Sequence, residues 1–135
     1  MGIFSGIFSG IFGESKDGDG KDVSEIPWKP LITIAQLEEI KNQSSARPQV
    51  IFKHSTSCGI SRMVLNMFKS SYGLEEGQMD FYFLDLLANR NVSHEVASLF
   101  GVVHQSPQLL IIKNGVVVVH DSHGSISDIK LEQYV

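Results

Sequence analysis

The segment VIFKHSTSCGISRMVLNMF, residues 50–68, decides the fold class of this chain. Its first three residues are β-branched or aromatic with no polar residue among them, which is typical of a strand buried on both faces. A polar loop follows, and after it come apolar residues at helical spacing, namely Ile60, Met63, Val64, Met67 and Phe68. The segment therefore predicts a buried strand followed by an amphipathic helix that packs this apolar stripe, both methionines included, into the core.

Helix and strand signals alternate on either side of this segment. Upstream, residues 31–32 are a short apolar run that predicts a first, short strand, and Thr33 with Gln36 forms a capping box. The capping box predicts a helix over residues 34–43.

Downstream, residues 81–84 are apolar and aromatic without interruption, and they predict a second buried strand. A third helix is predicted over about residues 92–100, with Asn91 or Ser93 as its cap and Gly101 as its terminator.

The C-terminal region predicts a hairpin and a final helix. Asn114-Gly115 is a two-residue turn dipeptide between the apolar runs 109–112 and 116–119, and Ser125 begins the terminal helix. We expect strands separated by helices to run parallel through right-handed crossovers, with the antiparallel hairpin at one edge. The sequence thus predicts an α/β domain with a central mixed sheet flanked by helices.

Composition narrows the function classes. The chain has 135 residues, with 11 Lys and Arg against 15 Asp and Glu and a formal charge of -4. The length fits one domain, and no basic block offers a surface for nucleic-acid phosphates. The longest apolar stretches, such as residues 109–112, are far shorter than the roughly 20 residues of a membrane-spanning helix. We therefore expect neither a nucleic-acid partner nor a transmembrane segment.

The N-terminal residues differ in character from the rest. Residues 1–13 repeat Gly-Ile-Phe-Ser with period four, and residues 14–26 are charged and Gly-rich. We assign residues 1–26 to an apolar tail and linker, and residues 27–135 to the folded domain. The tail is predicted to be mobile, with weak contact to a membrane surface or a partner, or packing on its own domain, as alternatives.

Cys58 is the only cysteine, so it can form no intramolecular disulfide and no multi-thiolate zinc site. The presence of a single cysteine, with no disulfide possible within the chain, favours an intracellular protein. Cys58 lies between the predicted strand and helix, where helix N-H groups and the helix dipole stabilise a thiolate. Lys53, His54 and Arg62 could add positive charge. A buried cysteine packing as a small hydrophobe is the alternative, but the polar flanking residues favour a reactive thiol.

The spacing Cys58-x-x-Ser61 limits the chemistry of that thiol. With serine at the second position, a mixed disulfide on Cys58 has no internal resolving thiol, so an external thiol must complete the cycle. Ser106-Pro107, before residues 109–112, is either an ordinary strand-start proline or a cis-proline whose turn lies beside the thiol. His120 and His123 more closely fit a solvated loop than a metal site, and no metal is predicted.

The segment Lys53-His54-Ser55-Thr56-Ser57-Cys58-Gly59-Ile60-Ser61, together with His104-Gln105-Ser106-Pro107-Gln108, resembles the YtxJ-type monothiol bacilliredoxins of the thioredoxin-like superfamily. The resemblance covers about residues 28–135. It implies a thioredoxin-like fold and a cytoplasmic bacterial enzyme that removes bacillithiol from protein mixed disulfides. Bacillithiol is then a co-substrate, the bacillithiolated proteins are partners, and no cofactor is bound.

The resemblance also implies roles for individual residues. Cys58 is the nucleophile, Pro107 is the cis-proline, and Ser106 offers backbone hydrogen bonds to the bound disulfide. Ser57, Gly59 and Ser61 are placed with them as substrate-binding residues. Gly59 departs from the family pattern, in which proline is expected after the cysteine.

Two other functions compete with this one. Cys58-Gly59-Ile60-Ser61 is one residue from the Cys-Gly-Phe-Ser signature of monothiol glutaredoxins that carry iron-sulfur clusters, but residues 120–124 lack their Gly-Gly-x-Asp-like glutathione clamp. A non-catalytic thioredoxin-like binding module is the third possibility. Brown protein would indicate a cluster carrier, rapid alkylation of Cys58 near pH 6 an oxidoreductase, and an unreactive thiol a binding module.

Overall fold

The computed structural model of the protein describes residues 26–75 and 77–135. Residues 1–25, which carry the predicted tail and most of the linker, lie outside the described residues, so the predictions made for them stay predictions. Ile26, which we had assigned to the linker, is buried in a core cluster with Val64 and Phe68.

Strands and helices alternate along the described chain, in the predicted order until its last segment. The strands are β1 (Trp28–Pro30), β2 (Gln49–His54), β3 (Asp80–Asp85), β4 (Gln108–Lys113) and β5 (Val116–Ser122). The helices are α1 (Ala35–Gln43), α2 (Gly59–Ser71) and α3 (Arg90–Phe100), followed by 3-10 helices at His123–Asp128 and Leu131–Gln133. None of the helices in this part of the chain combines the length and apolar character that a bilayer crossing requires.

The strands form a mixed sheet in the order β1-β3-β2-β4-β5. β3 runs parallel to both β1 and β2, while β4 runs antiparallel to β2 and to β5. The mixed sheet with its edge hairpin is as predicted, but the expectation that β4 would be parallel is wrong. β3 ends and β4 begins at the same end of the sheet. α3 and residues 101–107 therefore bring the chain back to that end, whereas a parallel β4 would have required them to reach the opposite end.

Two cores cover the two faces of the sheet. Alternate residues of β2 point to opposite faces, so Val50 and Phe52 pack with α2 while Ile51 packs with α1 and α3. The central strands are buried on both sides, which explains their uninterrupted apolar sequence.

The prediction for the buried stripe of α2 is partly wrong. Val64 and Phe68 are buried, but Ile60, Met63 and Met67 are 55%, 56% and 43% exposed. α2 packs on the sheet through the face that carries Val64 and Phe68, and no described element covers the side of the helix that carries the three exposed residues. The buried face of α2 is therefore narrower than the apolar spacing suggested.

Helix ends show further differences from the sequence. The Thr33–Gln36 capping box forms, with reciprocal bonds of 3.0 and 3.3 Å between the backbone N-H of one residue and the side-chain oxygen of the other. Asn89, rather than Asn91 or Ser93, is the N-cap of α3.

The predicted terminal α-helix is replaced by two short 3-10 turns. Ile126 in the first and Leu131 in the second are both buried in the α2-side core. Between them, Ile129 is extended. This break ends the first turn before an α-helix could form.

Candidate active site

Cys58 is the N-cap residue of α2, with extended backbone angles (φ −108°, ψ 120°). Its carbonyl accepts the N-H of Arg62 at 3.2 Å, and its own N-H donates to the Ser55 carbonyl at 3.1 Å. The side chain is half-buried, so the thiol is held at the start of the helix without being sealed in the core.

A buried hydrogen-bond network supports the loop that carries Cys58. Ser61 has no exposed surface, and its Oγ lies 2.8 Å from Nδ1 of His54 and accepts the Ser55 N-H at 3.2 Å. The side chain of Ser61, which we expected to contact substrate, is therefore directed beneath the loop and ties it to the end of β2.

The same burial determines the charge of His54. Burial lowers the pKa of this histidine, the Asp85 carboxylate opposes that effect, and the nearby Arg62 adds to it. His54 is thus neutral near pH 7, and it supports the loop through a hydrogen bond rather than through the positive charge we had expected.

Three other predicted residues lie at the exposed surface of the loop and helix start. The Arg62 guanidinium donates to the Thr56 carbonyl at 3.3 Å, which keeps a positive charge beside the loop. Ser57 is exposed and shares a 3.2 Å hydroxyl contact with Ser55. Gly59 is exposed, and a Cβ atom there would meet no atom within 4 Å.

Lys53 does not join this group, although it lies next to His54 in sequence. It has no exposed surface, and its Nζ contacts the Ser93 carbonyl at 3.1 Å and Nδ1 of His104 at 3.2 Å, on the α3 side of the sheet. Burial lowers its pKa to about 8. Sequence reasoning assigned no role to His104. The alternation of side chains along β2 was the one available signal, because it places Lys53 and His54 on opposite faces.

The loop before β4 reaches the same end of the sheet as Cys58. The antiparallel register pairs Lys53, near the end of β2, with Gln108 at the start of β4. Residues 55–58, which follow β2, and residues 101–107, which precede β4, therefore lie at the same end of the sheet. The Ser106–Pro107 peptide bond is cis. Pro107 is buried and its carbonyl accepts the N-H of His123 at 3.0 Å, while Ser106 Oγ is buried with no hydrogen-bond partner among the described residues.

The exposed flank of α2 adds an apolar surface next to the thiol. A shallow groove of about 500 Å³ is lined by Gly59, Arg62, Met63, Asn66, Met67 and Ser70. Within residues 26–75 and 77–135, no three acidic, histidine or cysteine side chains converge as metal ligands would. The arrangement combines a thiol at a helix start, a nearby cation and a cis-proline loop, which suits thiol–disulfide exchange.

Comparison with known proteins identifies this architecture. The family model described as monothiol bacilliredoxin BrxC matches residues 29–131. A solved structure described as a candidate oxidoreductase with a thioredoxin fold is 31% identical, with a TM-score of 0.67 over 79% of this chain and 92% of that chain.

Two thioredoxins of lower identity show the same fold. The Malassezia sympodialis protein is 17% identical, with a TM-score of 0.67 over 86% of this chain and 96% of its own. Thioredoxin from Trypanosoma brucei brucei is 16% identical, with a TM-score of 0.62 over 86% of this chain and 94% of its own. The thioredoxin-like fold implied by the sequence is thereby confirmed.

Proposed function

The chain belongs to the monothiol bacilliredoxin BrxC family, and from this membership we propose that it removes bacillithiol from protein mixed disulfides through Cys58 alone. The observation that carries the proposal is the position of the chain's single cysteine, half-exposed at the start of α2 and at the same sheet end as Ser106–Pro107. A cytoplasmic location, where bacillithiol and its adducts would be met, is part of the proposal.

The proposed reaction has two exchange steps that balance without an external oxidant. The Cys58 thiolate attacks the bacillithiol sulfur of the mixed disulfide, a new S–S bond forms, and the protein thiolate leaves. A bacillithiol thiolate then attacks this adduct at its bacillithiol sulfur, which releases the Cys58 thiolate and bacillithiol disulfide. The sum converts a protein mixed disulfide and one free thiol into a protein thiol and a small disulfide.

The described residues contribute to both steps. The backbone N-H groups at the start of α2 and the Arg62 guanidinium lie at the helix start that carries the Cys58 sulfur. The Ser61–His54 network ties the loop before Cys58 to the end of β2. Backbone groups of Ser106 lie in the loop that would pair with the bound disulfide.

The decisive assay presents one target protein in two forms, bacillithiolated and glutathionylated, each with its matching free thiol. We expect faster release from the bacillithiolated form and no release by Cys58→Ser. Equal rates would contradict the bacillithiol preference, and activity in Cys58→Ser would contradict the whole mechanism. Brown protein with visible absorbance would instead favour the iron-sulfur carrier.

A further inference from the structure

A buried cation lies directly behind the loop that carries the cis-proline, and the mechanism above does not use it. Lys53 Nζ lies 3.2 Å from Nδ1 of His104 and 3.1 Å from the Ser93 carbonyl. No carboxylate among residues 26–75 and 77–135 forms an ion pair with it. The loop is also fixed by Gln108, whose Nε2 donates to the Val103 carbonyl at 2.9 Å.

These contacts determine the tautomer of His104. A lysine ammonium has donors and no acceptor, so Nδ1 of the imidazole accepts the hydrogen bond from Lys53 and the ring hydrogen lies on Nε2. The Ser93 hydroxyl, 3.3 Å from the same Nδ1, is also placed to donate. Burial, then the charge of Lys53 and that of His94, lowers the pKa of His104, so the ring is neutral near pH 7.

The Nε2 side of the ring has no hydrogen-bond partner within residues 26–75 and 77–135. His104 is an exposed residue. A charged donor on Nδ1 withdraws electron density from the ring, so the Nε2-H is a stronger donor than in an isolated neutral histidine. Residues 101–107, which include His104, lead into β4 at the end of the sheet where β2 passes into the Cys58 loop.

We propose that His104, held by Lys53, is a specificity-determining residue that donates its Nε2-H to an anionic group, such as a carboxylate, on the thiol portion of the disulfide attacked by Cys58. The inference rests on the proposed function and names a feature of its substrate class. His104 contacts the substrate, and Lys53 is a positioning residue that acts through it.

The test uses two small symmetrical disulfides of similar size, 3,3′-dithiodipropionate with carboxylates and bis(2-hydroxyethyl) disulfide without charge. The rate at which each forms the Cys58 adduct is measured by mass spectrometry and divided by its rate with a free low-molecular-weight thiol. We expect the protein's carboxylate-to-neutral ratio to fall about fivefold in His104→Ala, which corresponds to the typical net contribution of one hydrogen bond.

Lys53→Met should lower the ratio similarly, and the double variant should lower it no further, since both changes remove one interaction. His120→Ala, a change at another exposed histidine, is the matched control and should leave the ratio unchanged. Since His104 is exposed, its variant tests the proposal even where Lys53→Met fails to fold. An unchanged ratio in His104→Ala, or effects of the two changes that multiply, would overturn the inference. Failure of Cys58 to react with either disulfide would instead overturn the proposed function.

Discussion

Replacing Ser61 with alanine should destabilise the domain while leaving the nucleophile in place. The Ser61 hydroxyl is fully buried and serves two groups, Nδ1 of His54 at 2.8 Å and the N-H of Ser55 at 3.2 Å. Alanine fits the same space but offers neither group a partner.

The expected magnitude follows from the burial of the two groups left behind. His54 is 5% exposed, so its ring nitrogen cannot readily turn to water, and an unpaired buried polar group costs about 1–3 kcal/mol. Ser55 is half-buried, so its N-H gains water more easily and adds less. A total of about 2–3 kcal/mol corresponds to a melting temperature lower by roughly 10 °C for a domain of this size.

The assay is urea and thermal unfolding, with Ser70→Ala as the matched control. Ser70 lies on the same helix, but it is exposed and its hydroxyl donates only to the Met67 carbonyl within that helix. The control should stay within about 0.5 kcal/mol of the unmodified protein. Thiol exchange by Ser61→Ala should persist within a few-fold at temperatures where it is folded, because Cys58 is unchanged. A stability loss no larger than that of the control would refute the role assigned to the buried hydroxyl.

Three further predictions concern stability. Gly59→Pro should raise the free energy of unfolding, measured in urea, by about 0.5–1 kcal/mol. The first position of a helix tolerates proline, Cys58 before it is already extended, and a Cβ atom at Gly59 would meet no atom within 4 Å. A lower free energy of unfolding would contradict this. Stability should rise between pH 8 and 10.5, because the folded state releases the Lys53 proton at about 8 while the unfolded chain still holds it; calorimetric melts of Lys53→Met should lack that rise, and an equal rise in both proteins would count against it. On the acid side, burial lowers the pKa of His54, so the unfolded chain binds protons first and melting temperatures should fall below about pH 6.5; a His54→Gln variant with the same acid profile would disprove that assignment.

Local patterns in the sequence were sufficient for much of the fold. The strand, loop and helix around Cys58, the Thr33–Gln36 capping box and the Asn114-Gly115 hairpin were predicted because neighbours in sequence determine each of them. The direction of β4 was not predictable in this way, because it depends on which end of the sheet the chain reaches after α3.

In the candidate site, too, the features that local sequence determines were predictable, and those that depend on distant partners were not. The position of Cys58 at a helix start follows from local sequence, whereas the partners of Lys53 lie 40 and 51 residues away in Ser93 and His104. A strand buried on both faces has no polar side to indicate where its lysine points. The exposure of Met63 and Met67 was also missed, since helical spacing identifies an apolar stripe without showing how much of it another element covers.

The most direct test of the central claim is the intact mass of the protein during turnover. After addition of a bacillithiolated target, the mass should increase by one bacillithiol, peptide mapping should place the adduct on Cys58, and free bacillithiol should remove it as bacillithiol disulfide appears. An adduct that forms on Cys58→Ser, or target release with no adduct on Cys58 at any time, would contradict catalysis by this single thiol.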